Sequence, residues 1–185
     1  MSRALVERAA DGDHDAFAEL AAGAIDRLHA LARLILRDAD AAEDAAQDAL
    51  VRAWQELHRL RDPDRFDAWL RRLLVNACYD ESRRRGRRPT VHLLALGDVA
   101  AVTDDQRRIE DRDRLGGAFA RLPVEQRAVL VLQHYVGLPD TEIATTLGLP
   151  LGTVKSRLRY AVRAMRASLD ADERTARGLT GERMS

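Results

Sequence analysis

The feature that most constrains this sequence lies towards its C-terminal end, where residues 140–166 carry the pattern of two helices joined by a tight turn. Asp140 is a suitable N-cap for a short helix over 142–147. Gly148 and Pro150 interrupt the pattern, because glycine accepts a positive φ and proline cannot continue a helix. A second helix follows, with apolar positions at i, i+4, i+7, i+8 and i+11: Val154, Leu158, Ala161, Val162 and Met165.

This second predicted helix is strongly basic. From residue 151 to residue 166 it has no acid, and its five positive charges are Lys155, Arg157, Arg159, Arg163 and Arg166. A short helix, a glycine turn and a longer basic helix are typical of modules that place side chains in the DNA major groove. An ordinary helical hairpin with a solvated basic face is the alternative, but turn chemistry, spacing and charge all favour the DNA-binding module.

The composition predicts an all-α protein. Of the 185 residues 46% are hydrophobic and only 4% aromatic, and long stretches lack proline and glycine. A single cysteine, Cys78, excludes a disulfide framework, and the five histidines are scattered along the chain. We therefore expect no metal site and no cofactor. No apolar run has the length of a membrane span, so we expect a cytoplasmic protein without membrane insertion.

The N-terminal half predicts three amphipathic helices, over about 13–36, 41–60 and 66–86, with Asp13 or Asp15 as the first cap. The second helix begins with an acidic cluster between Asp38 and Asp48. Acids near a helix N-terminus suit its dipole, but Asp48 lies further along the helix. The cluster is therefore either a solvated helix start or a surface that binds a partner.

The third predicted helix ends in a basic run, with seven arginines between residues 71 and 88 against two acids. It also carries Asn76 and Tyr79, and we expect it to contact nucleic acid. Residues 89–114 are acidic and lack sustained periodicity, which predicts a flexible linker. Helical patterns resume at Leu115 and over 124–135, and the tail 170–185 is expected to fray. Two basic helices in a chain of zero net charge suit a protein that contacts one DNA at two places.

Several motifs resemble bacterial sigma-70-type factors, and the lack of any further domain between the two halves is similar to their extracytoplasmic-function group. The motifs are DAAEDAAQD at 40–48 followed by Trp54, AWL at 68–70 with Asn76 and the arginines at 83–85, Leu122-Pro123, and GTVKSRL at 152–158. The resemblance covers about residues 13–168. It implies sigma region 2 over 1–88, an acidic linker over 89–114, sigma region 4 over 115–169 and a tail over 170–185.

The resemblance also implies roles for individual residues. The set expected to bind core RNA polymerase is Asp40, Glu43, Asp44, Gln47, Asp48 and Trp54. The set expected to bind the single-stranded −10 element is Arg65, Phe66, Asn76, Asp80, Arg83, Arg84 and Arg85. The set expected to bind the duplex −35 element is Thr153, Lys155, Ser156, Arg157, Arg159, Tyr160 and Arg163. Tyr160 stands where the family commonly has arginine, so the preferred −35 sequence is not implied.

The resemblance thus predicts a non-enzymatic sigma factor that directs RNA polymerase to promoters. We expect it to be monomeric when free, and such factors are usually held by an anti-sigma protein. One alternative is an autonomous helix-turn-helix regulator, which would leave the acidic cluster and the first basic helix without a role. A serine recombinase also ends in a helix-turn-helix, but it needs N-terminal strands and a nucleophilic serine on a strand-to-helix turn, which this sequence does not predict.

Overall fold

The computed structural model of the chain describes residues 2–86 and 106–181, and every regular element in these two ranges is helical. The helices are α1 (Arg3–Ala10), α2 (His14–Leu36), α3 (Ala39–Glu56), α4 (Phe66–Gly86), α5 (Gln106–Ala120), α6 (Val124–His134), α7 (Asp140–Leu147) and α8 (Leu151–Gly181). Two short 3-10 helices, Leu57–Arg59 and Pro63–Arg65, lie between α3 and α4. The all-α prediction is confirmed.

Helices α2, α3 and α4 pack on one another to form the N-terminal bundle, with α1 laid against α2 and the two 3-10 helices. The side chains of Leu20, Ile35, Leu57 and Leu74 are at most 1% exposed and fill the centre. The buried side of α3 consists entirely of alanines, which lets the backbones of its neighbours approach closely. α1 had no counterpart among the predicted helices.

Aspartate caps fix where two of these helices begin. The carboxylate of Asp13 accepts a hydrogen bond from the Ala16 amide at 3.0 Å, which confirms Asp13 as the cap of α2. The carboxylate of Asp38 accepts one from the Ala41 amide at 2.8 Å. This cap starts α3 at Ala39, two residues before the predicted start, and Arg37 just before it adopts the left-handed conformation with φ of 62°.

The helix-turn-helix is confirmed as α7 and α8, with Gly148 between them at φ of 64°. The predicted cap was wrong, because Pro139 precedes the helix and Asp140 is its first residue. The amide of Ile143 donates to the Pro139 carbonyl. The Asp140 carboxylate instead accepts a hydrogen bond from the Gln133 side chain at 2.8 Å.

Helices extend further into the predicted linker and tail than expected. α5 begins at Gln106 rather than Leu115, and the part of the predicted linker over 89–105 lies outside the described residues. α8 continues to Gly181, so the prediction of a frayed tail was wrong for 170–181, while 182–185 lie outside the described residues. Arg121 explains part of this extension, because its guanidinium binds the side chains of Ser168 and Asp172.

The two halves of the chain are in contact. α6 packs against α2 and α4, and α7 packs against α4, so that a continuous set of buried apolar side chains runs through both halves. The guanidinium of Arg127 on α6 donates to the Ile35 carbonyl at the end of α2, at 2.5 Å. The predicted two-domain organisation is therefore present as two helical units packed face to face.

Candidate nucleic-acid interface

The outer face of α8 presents the basic residues expected to bind duplex DNA. Lys155, Arg159, Tyr160 and Arg163 are all exposed and lie in the first half of α8, the second helix of the helix-turn-helix. The Arg159 guanidinium carbon lies 5.5 Å from the centre of the Tyr160 ring. This spacing is within the range of a cation–π contact between the two side chains.

The other three residues of the predicted −35 set are partly covered. Thr153, Ser156 and Arg157 are half-buried. The Ser156 hydroxyl donates to the Thr153 carbonyl at 2.9 Å, so its hydrogen is already used within the helix. Arg157 lies beside Tyr79 of α4, and its NH1 atom is buried without a hydrogen-bond partner among the described residues. The structure brings four of the seven residues together on an open face.

The residues expected to read the −10 element are divided between surface and core. Asn76 is exposed on α4, where its amide can offer both a donor and an acceptor. Arg65 is exposed at the end of the second 3-10 helix. Phe66 is only 3% exposed and its ring packs 6.1 Å from that of Trp69, so in this conformation it supports the start of α4 from inside.

The remaining members of the −10 set all form ion pairs at the end of α4. Arg83 pairs with Asp80 across one turn, and Arg52 of α3 reaches the other oxygen of Asp80 at 2.8 Å. Hydrogen bonds from Arg52, and then from Arg83, outweigh the opposing effect of burial and lower the pKa of Asp80. Asp80 therefore remains negatively charged. Because phosphate is also negative, Asp80 does not itself bind the DNA backbone.

Arg84 and Arg85 converge on Glu81, a carboxylate that is only 3% exposed. Burial raises the pKa of Glu81, but the hydrogen bonds from Arg85 and Arg84 prevail and hold it below its ordinary value. Arg85 also donates to Asp38 at 2.7 Å and so ties the end of α4 to the start of α3. The arginines at 84 and 85 thus have structural partners as well as charges that face solvent.

The predicted polymerase-binding residues mostly lie on one outer face of α3. Asp40, Glu43, Asp44 and Gln47 are exposed, and Asp48 is half-buried. The hydrogen bond to Glu81 is the main reason that the pKa of Arg84 is raised, and the charges of Asp48 and Asp44 add to the effect, which places the acidic face of α3 beside the basic end of α4. Exposed carboxylates in a row form a surface suited to a basic partner.

Trp54 is a packing residue at the far end of α3. It is half-buried, with its ring centre 4.5 Å from that of His14 and 5.0 Å from that of Phe17. It thereby holds the beginning of α2 against α3. Its remaining exposed edge is the part that a partner could contact.

Sequence reasoning missed the residues that join the two halves. Besides the Ile35 carbonyl, the Arg127 guanidinium binds the carbonyls of Ala120 and Leu122 at 3.1 and 2.8 Å. The Arg72 guanidinium lies against Gly148, where an added Cβ would be 3.0 Å from its NH2 atom. Neither arginine differs in pattern from its solvated neighbours, so no signal in the sequence distinguished them.

Other kinds of site are not indicated. Among the described residues there is no cluster of three or more His, Cys, Asp or Glu side chains that could hold a metal ion. Burial raises the pKa of the Cys78 thiol to about 12, which makes it a poor nucleophile at neutral pH. In the same part of the chain, no helix combines the length and apolar character that crossing a membrane requires.

Comparison with protein families gives two matches in the order expected from the motifs. Residues 23–88 match the family model of sigma-70 region 2, and residues 112–165 match that of sigma-70 region 4. The chain is 41% identical to the extracytoplasmic-function RNA polymerase sigma factor SigM of Mycobacterium tuberculosis, over 81% of this chain and 75% of the relative. It is 32% identical to the RNA polymerase sigma-H factor of Pseudomonas aeruginosa, over 89% and 92% of the two chains.

Two solved structures resemble the whole arrangement of helices. CnrH, solved in complex with the cytosolic domain of CnrY, has a TM-score of 0.64 and 31% identity over 92% of this chain and 97% of its own. The sigma factor RpoE of Bartonella quintana, solved with the anti-sigma factor NepR, has a TM-score of 0.65 and 25% identity over 84% and 98%.

Proposed function

This chain belongs to the extracytoplasmic-function group of the sigma-70 family and directs RNA polymerase to specific promoters, and we propose that its two halves divide that task between the −10 and −35 elements. The observation that carries this proposal is the pair of basic helices, α4 and α8, each at the end of its own helical unit. An autonomous regulator is not favoured, because its DNA-binding module would not need the acidic face of α3.

The outer face of α8 is suited to the −35 duplex. Lys155 and Arg159 are exposed one helical turn apart, so both can reach the same groove. A well-formed bidentate contact to a base edge contributes roughly 1–3 kcal/mol of discrimination. Arg163 lies one turn further along and is placed to contact phosphate, which sets position rather than sequence.

Asn76 is the residue of α4 best suited to recognise a base of the −10 element. It is exposed, and its amide can both donate to and accept from a base edge. Removing a base from the stack costs a few kcal/mol, which contacts to the free base and to the backbone must offset. The arginines at 83–85 lie two to three turns away on the same helix and can hold the strand, although part of their charge is balanced by Asp80 and Glu81.

The exposed acids of α3 are suited to dock on a basic surface of the polymerase. Asp40, Glu43 and Asp44 face solvent together with Gln47, on a different helix from the candidate DNA-binding residues of α4 and α8. We expect the factor to act in the cytoplasm without catalytic activity of its own and to be monomeric when free. RpoE of Bartonella quintana was solved with the anti-sigma factor NepR, and we expect an anti-sigma protein to control this chain as well.

The proposal is tested by run-off transcription with purified core polymerase, this chain and a library of random upstream sequences. We expect initiation that depends on the chain and enriches two elements at a fixed spacing. Asn76→Ala should weaken the selection at the −10 element only, and Lys155→Ala with Arg159→Ala should weaken it at the −35 element only. Enrichment of only one element, or the same enrichment with the wild-type chain and all variants, would contradict the assignment of the −10 element to α4 and the −35 element to α8.

The docking surface is tested separately by replacing Asp44 and Glu43 with lysine. Both side chains are exposed, so the fold should be retained while the charge of the surface reverses. We expect loss of co-elution with core polymerase. The matched control replaces Glu19 and Asp26, two exposed acids of α2, with lysine. Equal retention of both double variants on polymerase would refute the role of this face.

A further inference from the structure

Helix α1 lies outside the part of the chain that matches the sigma-70 region 2 family model, which begins at residue 23. It packs against α2 and against both short 3-10 helices, Leu57–Arg59 and Pro63–Arg65. Its two buried side chains, Val6 and Ala9, are 1% and 3% exposed. α1 has no part in the proposed function, although it contacts the segment 57–65 that leads into α4.

The segment 57–65 has little of its own to hold it in one conformation. Within this segment, all of which the structure describes, Leu57 is the one buried side chain. The Leu60 amide donates to the Leu57 carbonyl at 2.9 Å, and the Arg65 amide donates to the Asp62 carbonyl at 3.0 Å. Short 3-10 turns have poorer hydrogen-bond geometry than an α-helix. The conformation of the segment therefore depends on what packs against it.

Arg3 connects α1 to this segment. Its Nη1 donates to Oδ2 of Asp64 at 3.0 Å, and its Nε donates to Oε1 of Glu7, one turn along α1, at 2.8 Å. The hydrogen bond to Glu7 is the main reason that the pKa of Arg3 is raised, and the charges of Asp64 and Asp62 add to the effect. The Arg3 guanidinium thus lies among acids of both α1 and the segment, with Glu7 directing it towards Asp64.

The same segment carries Arg65, which belongs to the candidate −10 set. The Asp62 carboxylate accepts a hydrogen bond from the Asp64 amide at 3.1 Å and pairs with the Arg65 guanidinium at 3.5 Å. A line of contacts therefore runs from Arg3 to Arg65 through the two aspartates. Phe66 follows directly as the first residue of α4.

We propose that α1 is a brace for the segment 57–65 and that Arg3 is a positioning residue for recognition of the −10 element. The contact between Arg3 and Asp64 fixes the conformation in which the segment presents Arg65. It also balances acidic charge that would repel a nearby DNA strand. This inference rests on the proposed role of the N-terminal half in binding the −10 element. Arg3 acts through the segment and does not itself need to touch DNA.

A purely structural role for α1 predicts a different result. Arg3 and Asp64 expose 59% and 64% of their side-chain surface, and exposed ion pairs contribute little to the free energy of unfolding. Reversing either charge should therefore leave the urea midpoint near that of wild type. If the contact sets the position of the segment, the same change alters the selection of −10 sequences, and reversing both charges restores it.

The experiment reverses the ion pair in the full-length chain. Arg3→Glu, Asp64→Arg and the double variant are compared with wild type in run-off transcription from the library of random upstream sequences. We expect each single variant to lower the enrichment of the preferred −10 bases by about 2–5-fold, the range that an exposed ion pair can account for, and the double variant to recover most of the loss. Enrichment at the −35 element and co-elution with core polymerase should not change.

Cleavage by trypsin after Arg59 measures the segment without DNA or polymerase. Arg59 is exposed, and a protease cuts such a site faster when the local backbone opens more readily. We expect faster cleavage in Arg3→Glu and in Asp64→Arg, and a rate near that of wild type in the double variant. The matched control is Arg8→Glu, because Arg8 lies on the same helix with 60% of its side chain exposed but pairs with Asp13 instead of the segment. It should behave like wild type in cleavage and in selection.

The outcomes separate the brace from the proposed function. Wild-type enrichment at the −10 element in both folded single variants would overturn the positioning role, whatever the cleavage rates. An equal effect of Arg8→Glu, or a double variant no better than the single ones, would also overturn it. If Arg3→Glu does not fold, Asp64→Arg keeps the test valid, since it leaves α1 intact. If the wild-type chain selects no −10 element, the proposed function fails, while the cleavage rates still test the contact between α1 and the segment.

Discussion

At the scale of single residues, Glu81 shows how a charge can be kept inside this fold. Among the residues that the structure describes it is the one buried acid, at 3% exposure, and it accepts hydrogen bonds from both Arg84 and Arg85. Replacing Glu81 with glutamine removes the charge and leaves at least one guanidinium without its partner. We expect the free energy of unfolding to fall by about 1–3 kcal/mol, measured by urea denaturation at pH 7.

The same carboxylate predicts a pH dependence. The pKa of Glu81 is lower in the folded chain than its ordinary value of 4.5, so the unfolded chain takes up a proton first as the pH falls. The stability that Glu81 contributes is therefore complete above pH 4.5 and is lost as the pH falls through its folded pKa. We expect the difference in urea midpoint between wild type and Glu81→Gln to shrink below that pH. Glu19→Gln, at an exposed site, is the matched control.

At the scale of elements, Asp38 joins the start of one helix to the end of another. Its carboxylate caps α3 through the Ala41 amide and also accepts a hydrogen bond from Arg85 of α4. Asp38→Ala should therefore lower the free energy of unfolding by about 1–2 kcal/mol, the usual effect of losing an N-cap. Asp40→Ala removes an exposed acid from the same first turn and should cost no more than about 0.3–1 kcal/mol. If thermal or urea unfolding shows the same loss of unfolding free energy in Asp38→Ala and Asp40→Ala, the N-cap hydrogen bond of Asp38 is not the important contact.

Elements were predictable where local chemistry and periodicity agree. Gly148 and the apolar spacing of α8 identified the helix-turn-helix, and Phe66 correctly marked the start of α4. The cap of α7 was wrong because an aspartate can bind a neighbouring side chain, here Gln133, instead of its own helix. α1 was missed because eight residues with two inward side chains, Val6 and Ala9, give a short pattern whose support comes from distant parts of the chain.

At the scale of the whole molecule, the sequence predicted which surfaces carry charge but not how they lie against each other. Asp44, Asn76 and Arg159 are exposed as their positions on amphipathic helices indicate. The half-buried position of Arg157 could not be inferred in the same way, because its neighbour Tyr79 belongs to the other half of the chain. Contacts between segments that are far apart in the sequence produce no periodic pattern from which they could be predicted. The candidate DNA-binding residues could thus be predicted as a group, whereas the half-buried position of Arg157 could be seen only in the folded chain.

The exposed face of α8 predicts a specific salt dependence for duplex binding. Each phosphate neutralised by a protein cation contributes about −0.9 to the slope of log Kobs against log salt concentration. Lys155→Ala with Arg159→Ala should therefore weaken binding of the free chain to a selected −35 duplex and reduce the magnitude of the slope by about 2. The matched control, Arg59→Ala with Arg61→Ala, removes two exposed cations from the N-terminal half and should leave the slope unchanged. An equal change in both double variants would mean that the duplex is held by the general charge of the chain, since only direct contacts by α8 make the loss specific to Lys155 and Arg159.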